Sequence, residues 1–284
     1  MGTICEQCQK CQAILARGKS RRRRYTFGTG EASDYVFGFV NAVARELRKT
    51  HPDKFIAALA YHVYSYPPTF DLEPNVAVAP CIQLCYAYQK GTFANDAEFY
   101  RKWVAQKDRR LFVWNYFHHP MERALIGGWK CFPCFMPDVI SKWVKRYHRD
   151  GIRGFFLCGI PQQLDYYIYM QTAFNVETDY GKVIDEFFSL YFGRAAAPMK
   201  KFYLRISEIN RTEGVLGTTP ELSWKRLGTE ERMQELGRLM EQAANAAASD
   251  IEKRRVETWK RGVWDYMQEG RKEYLEKLRK KKKS

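Results

Sequence analysis

Aromatic rings, imidazoles and amides gather at the ends of predicted strands, the place where a parallel α/β barrel binds its ligand. These candidate binding residues are Tyr61, His62, Tyr64, Asn115, Tyr116, His118 and Gln162. Aromatic faces pack on the C–H surfaces of a pyranose while polar groups bind its hydroxyls, so this combination predicts a carbohydrate site. The rings are expected to stack on the sugar or contact its hydroxyls, and the amides are expected to make polar contacts. In the alternative interpretation, the rings only pack across the end of the sheet.

None of these strand ends carries an obvious pair of carboxylates. Hydrolysis of a glycosidic bond normally requires two carboxylates that flank it. Asp96, which follows Asn95, is interpreted as a capping residue of a helix predicted over residues 96–106. No residue is therefore assigned as acid or nucleophile, and no nucleotide-binding or nucleophile-elbow motif occurs in the sequence. We predict no cofactor.

Cysteines at two-residue spacing form a second candidate site near the N-terminus. Cys5, Cys8 and Cys11 have a spacing compatible with metal ligation, but no fourth ligand is assured. We predict no metal, and free or bridged thiols are the simpler interpretation. Cys131 and Cys134 have the same spacing, but they lie in a predicted loop, so no thioredoxin-like role is expected.

Four short apolar strands must position the candidate residues. They are predicted over residues 55–61, 76–81, 111–116 and 152–157. Amphipathic helices alternate with these strands, which is typical of parallel βαβ units. A closed barrel of this type needs eight strands, so the sequence predicts half of one, followed by helices only.

The helix before the first strand has a clear apolar pattern. Ser33 is the predicted N-cap. A stripe at helical spacing is predicted to face the core, and it consists of Val36, Phe39, Val40, Val43 and Leu47.

The net charge of +15 is concentrated at the two ends of the chain. Residues 1–24 hold seven Lys or Arg against one Glu, and residues 271–284 hold eight against two Glu. Basic ends of this kind are typical of solvated tails, and no nucleic-acid-binding motif accompanies them. We therefore expect no specific nucleic-acid partner. No apolar run approaches the length of a membrane span, and the N-terminus has no apolar signal segment.

Several segments resemble the bacterial family called domain of unknown function 4838. They are residues 38–68, 75–78, 151–156 and 184–203, together with Trp103. The similarity extends from Cys5 to about Tyr274. It implies a glycoside-hydrolase-like barrel, usually part of a larger exported protein that degrades polysaccharides. In such proteins a barrel strand with an acidic motif precedes the cysteine segment, and an acidic group follows the last strand, where this chain has Cys158 and Gly159.

The sequence thus predicts an α/β protein, the C-terminal half of a (β/α)8 TIM-type barrel followed by an all-helical subdomain. The predicted divisions are a basic cysteine-containing segment over 1–31, the partial barrel over 32–176 and the helical region over 177–284. The expected function is carbohydrate binding, with glycoside hydrolysis only if a missing N-terminal half supplies the carboxylates. The expected partners are carbohydrate and either that half or a second copy. The alternative function is a non-catalytic protein-interaction module, and the localisation is left open, since only the resemblance suggests export.

Overall fold

The structure, a computed structural model, describes residues 8–21, 27–106, 108–117, 122–159 and 163–281. It divides into two compact units. The first comprises Met1–Leu84, Lys90–Tyr116 and Tyr147–Cys158, and the second comprises Cys85–Gln89, Phe117–Arg146 and Gly159–Ser284.

The first unit contains a four-stranded parallel sheet. Its strands are β1 (Ile56–Ala60), β2 (Val76–Ile82), β3 (Val113–Tyr116) and β4 (Phe155–Cys158), and they lie side by side in chain order. The four predicted strands and their parallel direction are confirmed, but β4 begins three residues later than predicted. The reason is local, because the Ile152 amide still donates to the Tyr147 carbonyl in the turn after a helix.

Three helices of the first unit precede or connect these strands, namely α1 (Gln9–Arg17), α2 (Ser33–Thr50) and α3 (Lys90–Val104). The predicted core-facing stripe of α2 is wrong for Phe39, which is 70% exposed, and for Val43, which is 38% exposed. Its other members, Val36, Val40 and Leu47, are half-buried. Another face is buried instead, formed by Ser33, Phe37, Asn41 and Ala44.

Hydrogen bonding explains why polar residues occupy the buried face of α2. The Asn41 side chain donates to the Asp71 carbonyl and accepts from the Glu73 amide, at 3.0 and 2.8 Å. Ser33 is not the N-cap, a position that Ala32 holds, and its hydroxyl donates to the Tyr66 carbonyl at 2.6 Å. These side chains form hydrogen bonds with backbone groups of the segment between β1 and β2. The buried polar groups on both sides therefore have partners.

The sheet has two different faces, because strand residues alternate between them. The face that we call the covered face contains nearly inaccessible side chains, those of Val76, Val78, Ile82 and Val113. Helices α2 and α3 pack on this sheet. The opposite face, which we call the open face, carries large apolar side chains that remain partly exposed, those of Leu59, Phe112, Trp114 and Phe156.

The second unit is helical in the part of the chain that the structure describes. Its helices are α4 (Glu122–Ile126), α5 (Pro137–Arg149, which ends in the first unit), α6 (Gln163–Phe174), α7 (Tyr180–Phe192), α8 (Ala196–Glu213), α9 (Glu230–Ala246), α10 (Asp250–Trp259) and α11 (Tyr266–Lys281). A π-helical segment, Lys260–Asp265, joins the last two.

An aromatic core holds the second unit together. The rings of Phe135 and Tyr203 stack at 4.6 Å, and Phe188, Phe192 and Trp259 pack around them. Helix α7 ends before Gly193, whose φ of +53° favours glycine. No helix among the described residues is long and apolar enough to cross a membrane.

Candidate functional site

Four aromatic rings from three segments of the chain meet at the carboxyl end of the sheet. The Tyr61 and Tyr116 rings lie 6.1 Å apart, and Phe27 contacts Tyr61 at 5.1 Å and His62 at 4.8 Å. We call Phe27, Tyr61, His62 and Tyr116 the ring cluster. Tyr116 ends β3, and Tyr61 continues β1 in extended conformation, so both follow the register of the open face.

The hydroxyls of Tyr64 and Tyr116 stay neutral. Burial raises the pKa of Tyr116, and the Cys81 thiol and the neighbouring Tyr61 hydroxyl raise it further. Burial also raises the pKa of Tyr64, with smaller contributions from Cys81 and Tyr61. Neutral phenols donate and accept hydrogen bonds but do not act as bases at physiological pH. The arrangement is therefore suited to binding a polar ligand with apolar faces.

His62 holds the turn that brings Tyr61 and Tyr64 together. Its φ is +50°, in the left-handed region that non-glycine residues seldom adopt. The His62 carbonyl accepts from the Thr29 amide at 2.8 Å and from the Ser65 hydroxyl at 3.0 Å. These two bonds hold the turn against its backbone strain. Strained residues of this kind often occur at functional sites.

The open face continues the aromatic surface away from the ring cluster. Trp114 stacks on Phe156 at 3.9 Å, and the Trp114 ring lies 6.4 Å from that of Tyr116. The Trp114 Nε1 group is buried and has no hydrogen-bond partner among the described residues. Unpaired indole donors are uncommon in protein interiors.

The structure does not bring all the predicted site residues together. Asn115 lies on the covered face, where it is fully buried and its Oδ1 accepts from the Tyr147 hydroxyl at 2.7 Å. His118, Gln162 and Cys5 lie outside the described residues. Cys8 and Cys11 lie at the start of α1, and within the described ranges no three His, Cys, Asp or Glu side chains form a metal-binding group.

Asp96 is not the helix-capping residue that the sequence predicts. It lies inside α3 rather than at its cap, it is buried, and its Oδ2 accepts from the Gln83 amide at 2.8 Å. Burial raises the pKa of Asp96 to about 7, despite the opposing effect of that hydrogen bond. The misplaced helix start concealed it, because α3 begins six residues before the predicted boundary.

A second buried carboxyl, Asp165, lies in the helical unit. It accepts from the Tyr203 hydroxyl at 2.5 Å and from the Met136 amide at 3.3 Å. Burial raises the pKa of Asp165 to about 7. Its partners belong to the aromatic core, so Asp165 is a structural group that ties α6 to α8.

One comparison with known proteins found a match. The model of the family described as domain of unknown function 4838 matches residues 4–205. This range spans well over half of the chain and includes all four strands. No curated protein and no solved structure was found to match the chain.

Proposed function

The chain belongs to the domain of unknown function 4838 family, and from that premise we propose that it binds carbohydrate at the carboxyl end of its sheet. The observation that carries the proposal is the ring cluster, in which Tyr61, His62 and Tyr116 remain half-buried rather than enclosed. Half-buried aromatic rings offer apolar faces to a sugar ring, and neutral phenols offer hydrogen bonds to its hydroxyls.

The proposal includes the architecture, the C-terminal half of a (β/α)8 barrel. Support comes from the strand order, because strands added one after another in a single direction are typical of barrels. A doubly wound sheet reverses its strand order instead. The partly exposed apolar open face also corresponds to the interior of a barrel, where such side chains fill layers.

In this proposal, catalysis requires groups that lie outside the ring cluster. The ring cluster contains no carboxylate, and Asp96 is buried and bonded to a backbone amide. Hydrolysis by a pair of carboxylates would therefore draw on groups outside the ring cluster.

Glycan binding by matched variants tests the proposal. Titration of the full chain with a panel of neutral and acidic oligosaccharides identifies a binder, and Tyr61→Ala and Tyr116→Ala are then measured with it. Each substitution is expected to weaken binding by about 1–3 kcal/mol through loss of an aromatic contact. Tyr35→Ala, at an exposed position of α2, is the control and should bind as the parent chain does.

Circular dichroism and thermal unfolding establish that both variants are folded. The proposal is wrong if the parent chain binds no glycan of the panel. It is equally wrong if both folded variants bind as tightly as the parent, because the rings then only pack together.

A protein-interaction module is the second candidate function, and α2 favours it. Tyr35, Phe39 and Val43 form an exposed apolar stripe at four-residue spacing. Such a stripe is typical of a helix that packs against a partner. A Phe39→Ser variant that still binds glycan would show that this surface is distinct from the ring cluster.

A further inference from the structure

A side-chain amide outside the predicted site residues follows β2 directly. Gln83 is half-buried and comes immediately after Ile82, the last residue of that strand. Ile82 pairs with Asn115 of β3, so the next step of the register leads to Tyr116 of the ring cluster. Side chains alternate along a strand, and Ile82 is fully buried on the covered face. Gln83 therefore falls on the side of the open face, beside Tyr116.

The side chain of Gln83 has hydrogen-bonding groups to offer a ligand. Among the described residues no hydrogen bond reaches its amide oxygen or nitrogen, and neither atom is buried. A side-chain amide presents one acceptor and an NH₂ group with two donors. It can therefore bind two adjacent hydroxyls of one sugar at the same time.

A distant helix holds the backbone of Gln83. The Gln83 amide donates to Oδ2 of Asp96, a residue of α3 that is 3% exposed, at 2.8 Å. This bond lies at the point where the chain leaves β2 and enters the 3₁₀ turn Leu84–Tyr86. Because α3 packs on β2, the carboxyl reaches the end of the strand from a fixed position.

The burial of the Asp96 carboxyl is costly. Burial raises its pKa to about 7, and the bond from the Gln83 amide only partly opposes this effect. The carboxyl also adds to the effect of burial in raising the pKa of the Cys81 thiol, and Cys81 pairs with Trp114 of the open face. Groups with a shifted pKa occur preferentially at functional sites. This agrees with a role for Asp96 at the same end of the sheet.

We propose that Gln83 is a further sugar-binding residue, whose side-chain amide bonds two adjacent hydroxyls of a neutral sugar packed on Tyr116, and that Asp96 positions Gln83. The inference rests on the proposed function, because it adds a residue to the same site. The sugar is neutral because the Gln83 amide and the Tyr116 phenol carry no charge, and the ring cluster contains no Lys or Arg to pair with an acidic group. Asp96 acts only through the backbone of Gln83.

Monodeoxy sugars test the contact of Gln83. The probe is the oligosaccharide of the panel that the full chain binds, compared with derivatives that each lack one hydroxyl. One or two derivatives are expected to bind the parent chain about fivefold more weakly, because the lost hydroxyl leaves the amide without a partner. Gln83→Ala should bind the intact oligosaccharide about fivefold more weakly, and the same derivatives should lose no further affinity.

A matched control separates this contact from a general effect of the substitution. Gln242 is exposed on α9, so Gln242→Ala should keep both the parental affinity and the parental discrimination between the intact and deoxy oligosaccharides. Circular dichroism and thermal unfolding establish that each variant is folded.

The ratio of the two affinities tests Asp96. Asp96→Ala removes the acceptor of the Gln83 amide, so it should reduce the discrimination between the intact and deoxy oligosaccharides. Asp96→Leu fills the buried site without an acceptor and makes the same test if the alanine variant does not fold. Asp96→Asn keeps an acceptor and should recover the discrimination. A merely structural role would weaken the binding of both sugars equally and leave their ratio unchanged.

Failure of this inference can be distinguished from failure of the proposed function. A parent chain that binds no member of the panel overturns both. Glycan binding that Tyr116→Ala weakens and Gln83→Ala leaves unchanged overturns only the role of Gln83. Binding restricted to acidic oligosaccharides overturns the assignment of a neutral sugar. Folded Asp96→Ala or Asp96→Leu variants with the parental discrimination overturn the positioning role of Asp96.

Discussion

At the scale of single residues, burial sets the chemistry of the titratable groups more than sequence spacing does. Asp96 and Asp165 both lie in the interior with one or two hydrogen-bond donors, and burial raises the pKa of each to about 7. Transfer of a carboxylate from water disfavours its charged form, and the available donors only partly compensate for this loss. Both groups therefore couple folding to pH in the acidic and neutral range.

The free energy of unfolding is expected to fall as the pH rises between about 4 and 7 on account of these two carboxyls. In that window the folded chain still binds the proton on Asp96, whose pKa is about 7, whereas the unfolded chain has released it. Asp96→Asn keeps an acceptor for the Gln83 amide and removes this contribution. Urea denaturation across the window should show a smaller decline for the variant than for the parent.

Asp53→Asn, at an exposed surface position, is the control and should leave the parental pH dependence in place. An Asp96→Asn variant whose pH dependence equals that of the parent would show that Asp96 is already ionised throughout this range.

At the scale of elements, α2 shows that the apolar stripe of a helix need not be the face that is buried. Phe37 packs on the Trp103 ring at 5.1 Å, while Asn41 binds the backbone of residues 71 and 73. A satisfied amide is acceptable in the interior, and its removal leaves backbone groups without partners. The apolar stripe is thus available to another surface.

Two substitutions on α2 are expected to change the free energy of unfolding in the opposite order to the one that the hydrophobic pattern of the helix predicts. Asn41→Leu is expected to lower the free energy of unfolding by about 1–3 kcal/mol, because the Asp71 carbonyl and the Glu73 amide lose their partner. Phe39→Ser is expected to cost about 0.5 kcal/mol or less, because that ring is already exposed. Chemical denaturation measures both. A larger loss for Phe39→Ser would mean that the stripe is buried after all.

At the scale of the whole molecule, the sheet has two unpaired outer edges among the described residues. No strand pairs with the outer edge of β1 or β4 there, and the open face keeps Phe156 52% exposed. Unpaired parallel edges and exposed apolar faces favour association, because parallel sheets are normally covered on both sides.

The chain is expected to self-associate with rising concentration, as seen by light scattering. Phe156→Glu places a charge on the open face and should shift the equilibrium toward the monomer. Phe174→Glu is the control, because Phe174 is 94% exposed on the helical unit and should not affect a contact made by the sheet. A compact, cooperatively unfolding monomer at all concentrations would contradict both the association and the half-barrel proposal.

The sequence by itself determined the features that depend on neighbouring residues. Apolar runs bounded by polar turns located the four strands, and the strand–helix alternation gave their parallel direction. Gly193 directly after α7 and Pro198 in the first turn of α8 also occupy positions that suit the backbone preferences of these two residues. Backbone preferences act within a few residues, so they can be recognised in any context.

The alternation of side chains along β3 divides two of the candidate site residues between opposite faces of the sheet, and this alternation can be inferred from the sequence. Asn115 and Tyr116 are consecutive residues of β3, so their side chains point to opposite faces. Both were assigned to one site because they lie at the carboxyl end of the predicted strand, and the alternation of faces was not applied to them. Only the register with β4 showed that Tyr116 belongs to the open face and Asn115 to the covered face.

Only the tertiary structure decided which surfaces became interior and which side chains met. The burial of Asp96, the orientation of α2 and the meeting of Phe27, Tyr61 and Tyr116 each depend on segments distant in the chain. Hydrophobic periodicity could not predict them, because it treats every polar residue as solvent-facing. A polar side chain is nevertheless stable in the interior when a distant backbone group becomes its hydrogen-bond partner.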